Sequence, residues 1–246
     1  MIPALIIGRK GSTGFPNKNI TNFVGRPLMT YPILAAQNSK FVDDIYISTD
    51  SVEIKKIAMS HGLKNIERPE ELATNEALAE DAFAHGYKEI KKNSNKDIEF
   101  IVLLFCNGAC ITPGIIDKGI ELLRNDKNKD FDSAATSSLY NMWSPLRAKK
   151  IVNNTLEPFF PIDMFDDVSC DRGSQGDCWF ADCSAFVVRP KCLEDLNYGE
   201  NPFRWMGRKV YPLKQWGGLD LDYEWQKGQV EFWLRKHGFS ETQTPY

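Results

Sequence analysis

The sequence predicts an α/β protein built on a mainly parallel sheet. Apolar strand-like runs alternate with amphipathic helix-like segments along the 246 residues, the order that builds βαβ units. The run Phe100 to Phe105 is apolar throughout, as expected of a strand buried on both faces. Polar loops follow the strand-like runs, notably Gly8 to Asn19 after the first and Thr49 and Asp50 after the second. Open parallel sheets hold ligands beyond the carboxyl ends of their strands.

Taken in order, Pro3 to Ile7 is an apolar strand bounded by Gly8. After the loop, ITNFVGRPLM turns at Gly25, and Tyr31 to Asn38 reads as a helix with Ile33, Leu34 and Ala36 as apolar positions. Asp43 to Ser51 reads as a strand ending in a polar cap; a helix starts at Ser51, runs through Ala58 and stops at Gly62. A brief strand is expected at Ile66 to Pro69. An amphipathic helix follows at Leu78 to Lys91, where Leu78, Ala82, Phe83 and Tyr87 recur at helical spacing. Pro113 suits a first helical turn and opens a helix through Leu123, with a strand at Asp132 to Ser137. From Met142 to Asp177 prolines, acids and polar residues dominate, as in an insertion, an arm or a lid. Phe180 to Arg189 is a strand, and Asp222 to His237 is the last helix, with Gly238 as its stop.

Composition narrows the function classes. Hydrophobic residues are 42% of the chain, enough for a core. The net charge of -3 offers no basic excess for a nucleic-acid backbone. Apolar runs such as Ile101 to Cys106 are too short to span a bilayer, so no membrane is expected as partner. The opening MIPALIIGRKG reads as a buried strand rather than a signal peptide, which points to the cytoplasm. The six cysteines are expected as free thiols, and with no CxxC pair and three scattered histidines a zinc site is not expected.

The strongest local signal is the loop from Gly8 to Lys18. Gly8, Gly11 and Gly14 let backbone approach a ligand, while Arg9, Lys10 and Lys18 supply cations suited to a triphosphate. Neither the GxxxxGK[ST] nor the GxGxxG spacing is present, and an exposed basic turn would also account for the loop. In Gly217-Gly218-Leu219-Asp220-Leu221-Asp222, two aspartates at i and i+2 on an extended segment point the same way, an arrangement that binds a hard divalent cation. The alternative is that one of them only caps the helix that follows. Asp50 could face a nucleotide ribose, or Asp50 or Ser51 could cap the next helix. Arg172, in DRGSQ, offers a fork suited to a carboxylate, or is a surface arginine. His85 is expected as a half-buried, satisfied histidine.

Together and in this order these segments resemble the acylneuraminate cytidylyltransferases, which include the synthetases of CMP-sialic, CMP-Kdo, CMP-legionaminic and CMP-pseudaminic acids. The first motif stands as IIGRKGSTGFPNKN, in which Arg9, Gly11, Ser12, Gly14, Pro16, Lys18 and Asn19 match. The segments Ile20 to Ile33, DDIYISTDS, RPEELATNEA from Arg68 and GLDLDYEW are similar to later blocks, so the likeness covers most of the chain. There are departures. Thr13 replaces a lysine while Lys10 is extra. The block LLFCNGACI has Phe105 and Ile111 where the family has glutamine and arginine, Asp182-Cys183 replaces an Asn-Gly pair, and an RRQ-like segment survives loosely as Arg172 and Gln175.

The resemblance implies a Rossmann-like three-layer nucleotidyltransferase fold in one unit over residues 1–246, with a dimerisation arm at about 142–177 and a homodimer. It implies transfer of CMP from CTP to an acidic sugar with Mg²⁺. Arg9, Lys10 and Lys18 would hold the triphosphate, and Asp220 and Asp222 the metal. Gly8, Gly11, Ser12, Asn19, Asp50 and Arg68 would line the nucleotide, and Arg172 and Gln175 the sugar. The hydroxyl proton would go to a metal-bound species or to Asp220. A nucleotidyltransferase for another sugar or nucleotide, or an inactive nucleotide-sugar binder, are the rival readings.

Overall fold

The computed structural model describes residues 1–246 except Ser12, Ile162, residues 164–167 and the side chain of Arg172. Its elements are β1 (Pro3–Ile7), the hairpin β2 (Asn22–Phe23) and β3 (Arg26–Pro27), α1 (Thr30–Gln37), β4 (Asp44–Thr49), α2 (Val52–Ser60), β5 (Lys64–Glu67), α3 (Ala79–Asn93), β6 (Ile101–Phe105) and α4 (Pro113–Asn125). They continue as β7 (Ser133–Leu139), β8 (Lys149–Val152), β9 (Thr155–Pro158), β10 (Trp179–Val188), α5 (Lys191–Glu194), β11 (Val210–Gln215) and α6 (Lys227–Lys236).

Seven strands form one sheet in the order β11-β7-β10-β6-β1-β4-β5. The pairs β1–β4, β1–β6, β4–β5 and β7–β11 are parallel, whereas β10 runs antiparallel to both β6 and β7. Side-chain alternation splits the central strands between two cores. Ala4, Ile6, Val102 and Leu104 pack with Ile33 of α1, Ile54 of α2 and Ile116 of α4. Leu5, Ile7, Ile101 and Leu103 face the other way, against Phe83 and Tyr87 of α3 and Leu193 of α5. The result is a sheet covered on both faces, which explains why β1 and β6 read as unbroken apolar runs.

The local signals act as expected at several ends. Ser51 caps α2, its hydroxyl accepting from Ile54 N at 3.3 Å. Pro113 occupies the first turn of α4. The expected last helix begins later than its pattern implies: α6 starts at Lys227, after a 3₁₀ turn at Glu224–Gln226. Gln226 Oε1 accepts from the amides of Asp222 and Tyr223, both at 2.8 Å, and holds that stretch out of the helix. Strand β11 carries no sequence expectation. Pro212 and Lys214 break its apolar alternation, which an edge strand tolerates because only one side must hydrogen-bond.

Within residues 142–177, β8 and β9 form their own two-stranded sheet. Asn153 and Asn154 at its turn have φ of 47° and 63°, the left-handed pair that matches hairpin twist. Ile151 and Leu156 on this hairpin and Phe159 just beyond it are 76%, 69% and 57% exposed, so this segment shows apolar side chains to solvent.

Beyond the far end of the sheet, Asp132 is buried and accepts from the amides of Arg208 (2.8 Å) and Lys209 (2.9 Å), the Tyr198 hydroxyl and the Lys191 ammonium. Burial alone would raise its pKa, but the Lys191 contact and the two amides hold it below the usual carboxylate range. Asp132→Ala leaves those amides unpaired and is expected to cost about 3 kcal/mol, read as a lower urea midpoint at neutral pH. A depressed carboxylate stabilises above its unfolded pKa and loses that contribution as pH falls through the folded value. The gap between wild type and variant should therefore narrow on acidification.

Candidate active site

The loop after β1 and the segment after β11 meet at one cavity of about 530 Å³ beyond the carboxyl ends of the central strands. Gly8, Arg9, Lys18 and Asn19 line it from the first loop, Arg68 from the segment after β5, and Asp220 and Asp222 from the last loop. Residues separated by some 200 positions are joined directly: Lys18 Nζ donates to Asp222 Oδ1 at 2.6 Å.

The sheet explains why this loop can lie so close. At Gly8 a Cβ would strike Cys106 Sγ on the neighbouring strand's extension, so only glycine lets the chain turn there. At Gly14 a Cβ would sit 2.6 Å from the backbone oxygen of Asp222 and 3.3 Å from the Tyr223 ring. Gly14→Ala is therefore expected to push the two loops apart and lower kcat/KM for the reaction catalysed at this cavity by about 10-fold to 100-fold, with the melting temperature nearly unchanged.

The paired aspartates are presented as their spacing predicts. Leu221 between them is fully buried in a third apolar cluster, with Phe23, Tyr31 and Trp233. Asn107, two residues past β6, clasps Leu221: Nδ2 donates to its carbonyl at 2.9 Å and its amide donates to Asn107 O at 3.1 Å. The preceding Gly217-Gly218 turn is fixed from β7 and β10. Gly218 N donates to Ser138 Oγ at 2.9 Å, which donates to buried Asp182 at 2.7 Å, and Gln215 Nε2 donates to the same carboxylate at 3.0 Å. Asn107, Ser138, Asp182, Gln215 and Tyr223 were not picked out by their chemistry in the sequence. Asn107 lies two residues past β6, but Ser138 and Asp182 lie within β7 and β10 and Gln215 ends β11, so only the order of strands in the sheet brings them together.

Burial pushes the Asp220 carboxyl up to about 6, and the neighbouring Asp222 charge adds to this. Two adjacent carboxylates with an excess of negative potential form an oxygen-donor pair that a hard divalent cation would relieve. Among the described residues no group of three or more His, Cys, Asp or Glu could hold a metal. Two carboxylates nonetheless fit Mg²⁺, which is commonly held by one or two carboxylates and completed by water and phosphate.

Arg68 is held by Ser48, donating to its carbonyl at 2.6 Å and its hydroxyl at 3.2 Å, and burial lowers its pKa. Arg9 Nη1 donates to Asn75 Oδ1 at 2.6 Å. Asn19 lines the cavity, and its buried Oδ1 has no hydrogen-bond partner among the described residues.

The remaining expected residues lie elsewhere. Lys10 and Gly11 line a smaller recess between the loop and α2. Asp50 is exposed and accepts from Lys10 N at 2.9 Å, so it braces the loop and does not line the large cavity. Gln175 accepts from Arg147 Nε at 3.0 Å and donates to Ser169 O at 3.1 Å, and it too is not among the cavity residues. Ser12 and the Arg172 side chain lie outside the described residues. Phe105 lines the cavity, whereas Ile111 is buried in the core. His85 is half-buried, but its Nδ1 has no partner among the described residues. All six cysteines are free. Among the described residues, no helix is long and apolar enough to cross a membrane.

A family model described as Cytidylyltransferase matches residues 3–193. The chain is 28% identical over 171 residues to the pseudaminic acid cytidylyltransferase of Campylobacter jejuni, covering 70% of each chain. It is 29% identical over 157 residues to a Helicobacter pylori protein named pseudaminic acid cytidylyltransferase and UDP-2,4-diacetamido-2,4,6-trideoxy-beta-L-altropyranose hydrolase, of whose length the match spans only 29%. It is also 39% identical over 85 residues to the N-acylneuraminate cytidylyltransferase of Escherichia coli, covering 20% of that protein. Among solved structures, a CMP:2-keto-3-deoxy-manno-octonic acid synthetase complexed with CTP superposes over 96% of this chain and 99% of its own, with a TM-score of 0.67 at 13% identity. A 4-diphosphocytidyl-2C-methyl-D-erythritol synthase superposes with a TM-score of 0.64 at 10% identity, covering 95% and 98%. These two structures share the fold.

Proposed function

This chain belongs to the cytidylyltransferase family, and on that premise we propose that it transfers CMP from CTP to the anomeric hydroxyl of an acidic sugar, releasing pyrophosphate. The observation that carries the reading is the apposition of Arg9 and Lys18 with Asp220 and Asp222 around one cavity. The names of the relatives, which are cytidylyltransferases of pseudaminic and N-acylneuraminic acids, support the acidic acceptor.

Phosphoryl-group transfer depends chiefly on positioning and on stabilising charge. The backbone of the Gly8 loop approaches the nucleotide closely, and Arg9 and Lys18 neutralise the triphosphate. Arg68, Asn19 and Gly8 line the nucleotide, with Lys10, Gly11 and Ser12 on the adjoining stretch of loop and Asp50 bracing it. Asp220 and Asp222 would hold Mg²⁺, which when bound neutralises phosphate charge and lowers the pKa of a hydroxyl. Asn107 and the Ser138–Asp182–Gln215 network hold that carboxylate pair in place. Arg172 and Gln175, within residues 142–177, are assigned to the sugar, as the family resemblance implies.

Pyrophosphate release with Mg²⁺, measured for four nucleoside triphosphates against Kdo, N-acetylneuraminic, legionaminic and pseudaminic acids, tests the assignment. Release with CTP and one of these sugars is the expected result. Silence with every pair would overturn it.

Residues 1–246 act in this reading as one nucleotidyltransferase unit whose arm, at about 142–177, joins two copies. The exposed Ile151, Leu156 and Phe159 support this. Paired Ile151→Lys and Leu156→Lys substitutions are expected to shift the species seen by light scattering from dimer to monomer. An unchanged mass would reject the arm as the contact. Free thiols suit a reducing compartment, which supports a cytoplasmic setting.

A further inference from the structure

Asp220 sits on a stretch of backbone pinned at two points. Beyond it, Leu221 is clasped by Asn107. Before it, both polar groups of Gly218 are taken: its amide donates to Ser138 Oγ at 2.9 Å, and its carbonyl accepts from the Tyr140 hydroxyl at 2.9 Å. Ser138 is near the end of β7 and Tyr140 just past it. Being two residues apart, they leave the backbone on one face and reach the same residue. Gly218 must be glycine for this grip, because a Cβ there would strike Gln215 Nε2 and the Asp182 carboxylate. Only Leu219 separates the gripped residue from Asp220.

Tyr140 is not among the residues lining the cavity. Its place is set instead by the root of residues 142–177. The Tyr140 amide donates to Cys178 O at 2.9 Å. Asn141 closes the same root with both ends of its side chain: Oδ1 accepts from Cys178 N at 2.8 Å, and Nδ2 donates to Asp177 Oδ1 at 3.2 Å. The Phe180 ring meets the Tyr140 ring edge-on at 6.3 Å. Burial pushes the Tyr140 hydroxyl up to about 12, so it keeps its proton and remains a donor at neutral pH.

Resting on the cytidylyltransferase reading above, we infer that Tyr140 is a positioning residue for Asp220 and Asp222, and that the root of residues 142–177 acts on the site through it. Without the hydroxyl, the Gly218 carbonyl loses its partner and the turn is free to rotate. The displacement passes through Leu219 to the Asp220 carboxylate. Losing an outer support of a metal-binding group costs about 10-fold to 100-fold in metal affinity or activity.

Tyr140→Phe removes the hydroxyl and keeps the ring. In chelator, hydrogen exchange on peptides spanning residues 217–223 should quicken by about 10-fold, with melting curves confirming the fold. Mn²⁺ binding, followed by electron paramagnetic resonance with CTP present and no acceptor, should weaken by about 10-fold. In pyrophosphate release the half-saturating Mg²⁺ should rise by a similar factor, and excess Mg²⁺ should restore kcat, which a general loss of stability would not allow. Asn141→Ala should weaken Mn²⁺ binding in the wild-type background and add nothing in Tyr140→Phe. The inference is overturned if Tyr140→Phe leaves either the exchange or the Mn²⁺ affinity unchanged, or if its deficit persists at saturating Mg²⁺. An undiminished further loss from Asn141→Ala in Tyr140→Phe overturns the link through the root. No pyrophosphate release from wild type overturns the cytidylyltransferase reading itself, while the exchange measurement still decides whether Tyr140 holds the turn.

Discussion

Asp220→Ala is expected to lower pyrophosphate release by about 10³-fold or more, the scale of losing several kcal/mol of charge stabilisation at a transferring phosphoryl group. The same substitution should raise the melting temperature when measured in a chelator. Burial and the Asp222 charge push the Asp220 carboxyl up to about 6. A carboxylate whose folded pKa lies above its unfolded value destabilises the fold at neutral pH, and that penalty disappears as pH falls below both values. Removing it therefore gains stability at pH 7 and gains nothing in acid. Loss of turnover together with a gain in metal-free stability is a signature that a residue needed only for folding could not give. Asp220→Asn keeps the shape and should show the same pair of effects. Full activity in either variant would remove Asp220 from the site.

How much of this was legible beforehand follows from where each signal resides. Strands β1 and β6 are read from sequence because both faces are buried, so every residue is apolar. The aspartate pair is read because i, i+2 spacing on an extended segment needs no partner to fix its direction, and buried Leu221 confirms the alternation. Strand β11 was missed because an edge position relaxes the pattern that reveals central strands. The start of α6 was misplaced because Gln226 turns back on the amides of Asp222 and Tyr223, a contact that helical spacing alone does not signal. The roles of Asn107, Ser138 and Asp182, the last noted in the sequence only as a departure from an Asn-Gly pair, were overlooked for a different reason. These residues hold backbone and one another across strands far apart in sequence, so only the sheet order brings them together. Asp50 stands between these cases: its helix-capping alternative goes to Ser51, and its carboxylate is left to hold Lys10 N.

Lys18→Met is expected to raise the KM for CTP about 10-fold and to lower kcat by about 10-fold to 100-fold, because one charge serves two ends of the reaction. Lys18 is 8% exposed, and its ammonium lies 2.6 Å from Asp222 Oδ1. It must therefore meet the triphosphate while still orienting a carboxylate of the metal pair. The Asp222 side chain is 55% exposed, so water replaces its lost partner and stability should change little. Arginine at the same place should rescue poorly, since its larger planar fork does not reproduce the single ammonium contact to Asp222 Oδ1 made by a buried lysine. Asp222→Asn separates the two duties of the lysine. If Lys18 only orients Asp222, adding Lys18→Met to Asp222→Asn costs nothing further. If it also holds phosphate, the double variant still shows the rise in KM for CTP, while the kcat losses fail to add because both substitutions act on the same carboxylate. The second result is expected, because the loop that carries Lys18 also carries Arg9 and closes on the last loop at Gly14, leaving the ammonium between the nucleotide loop and the carboxylates.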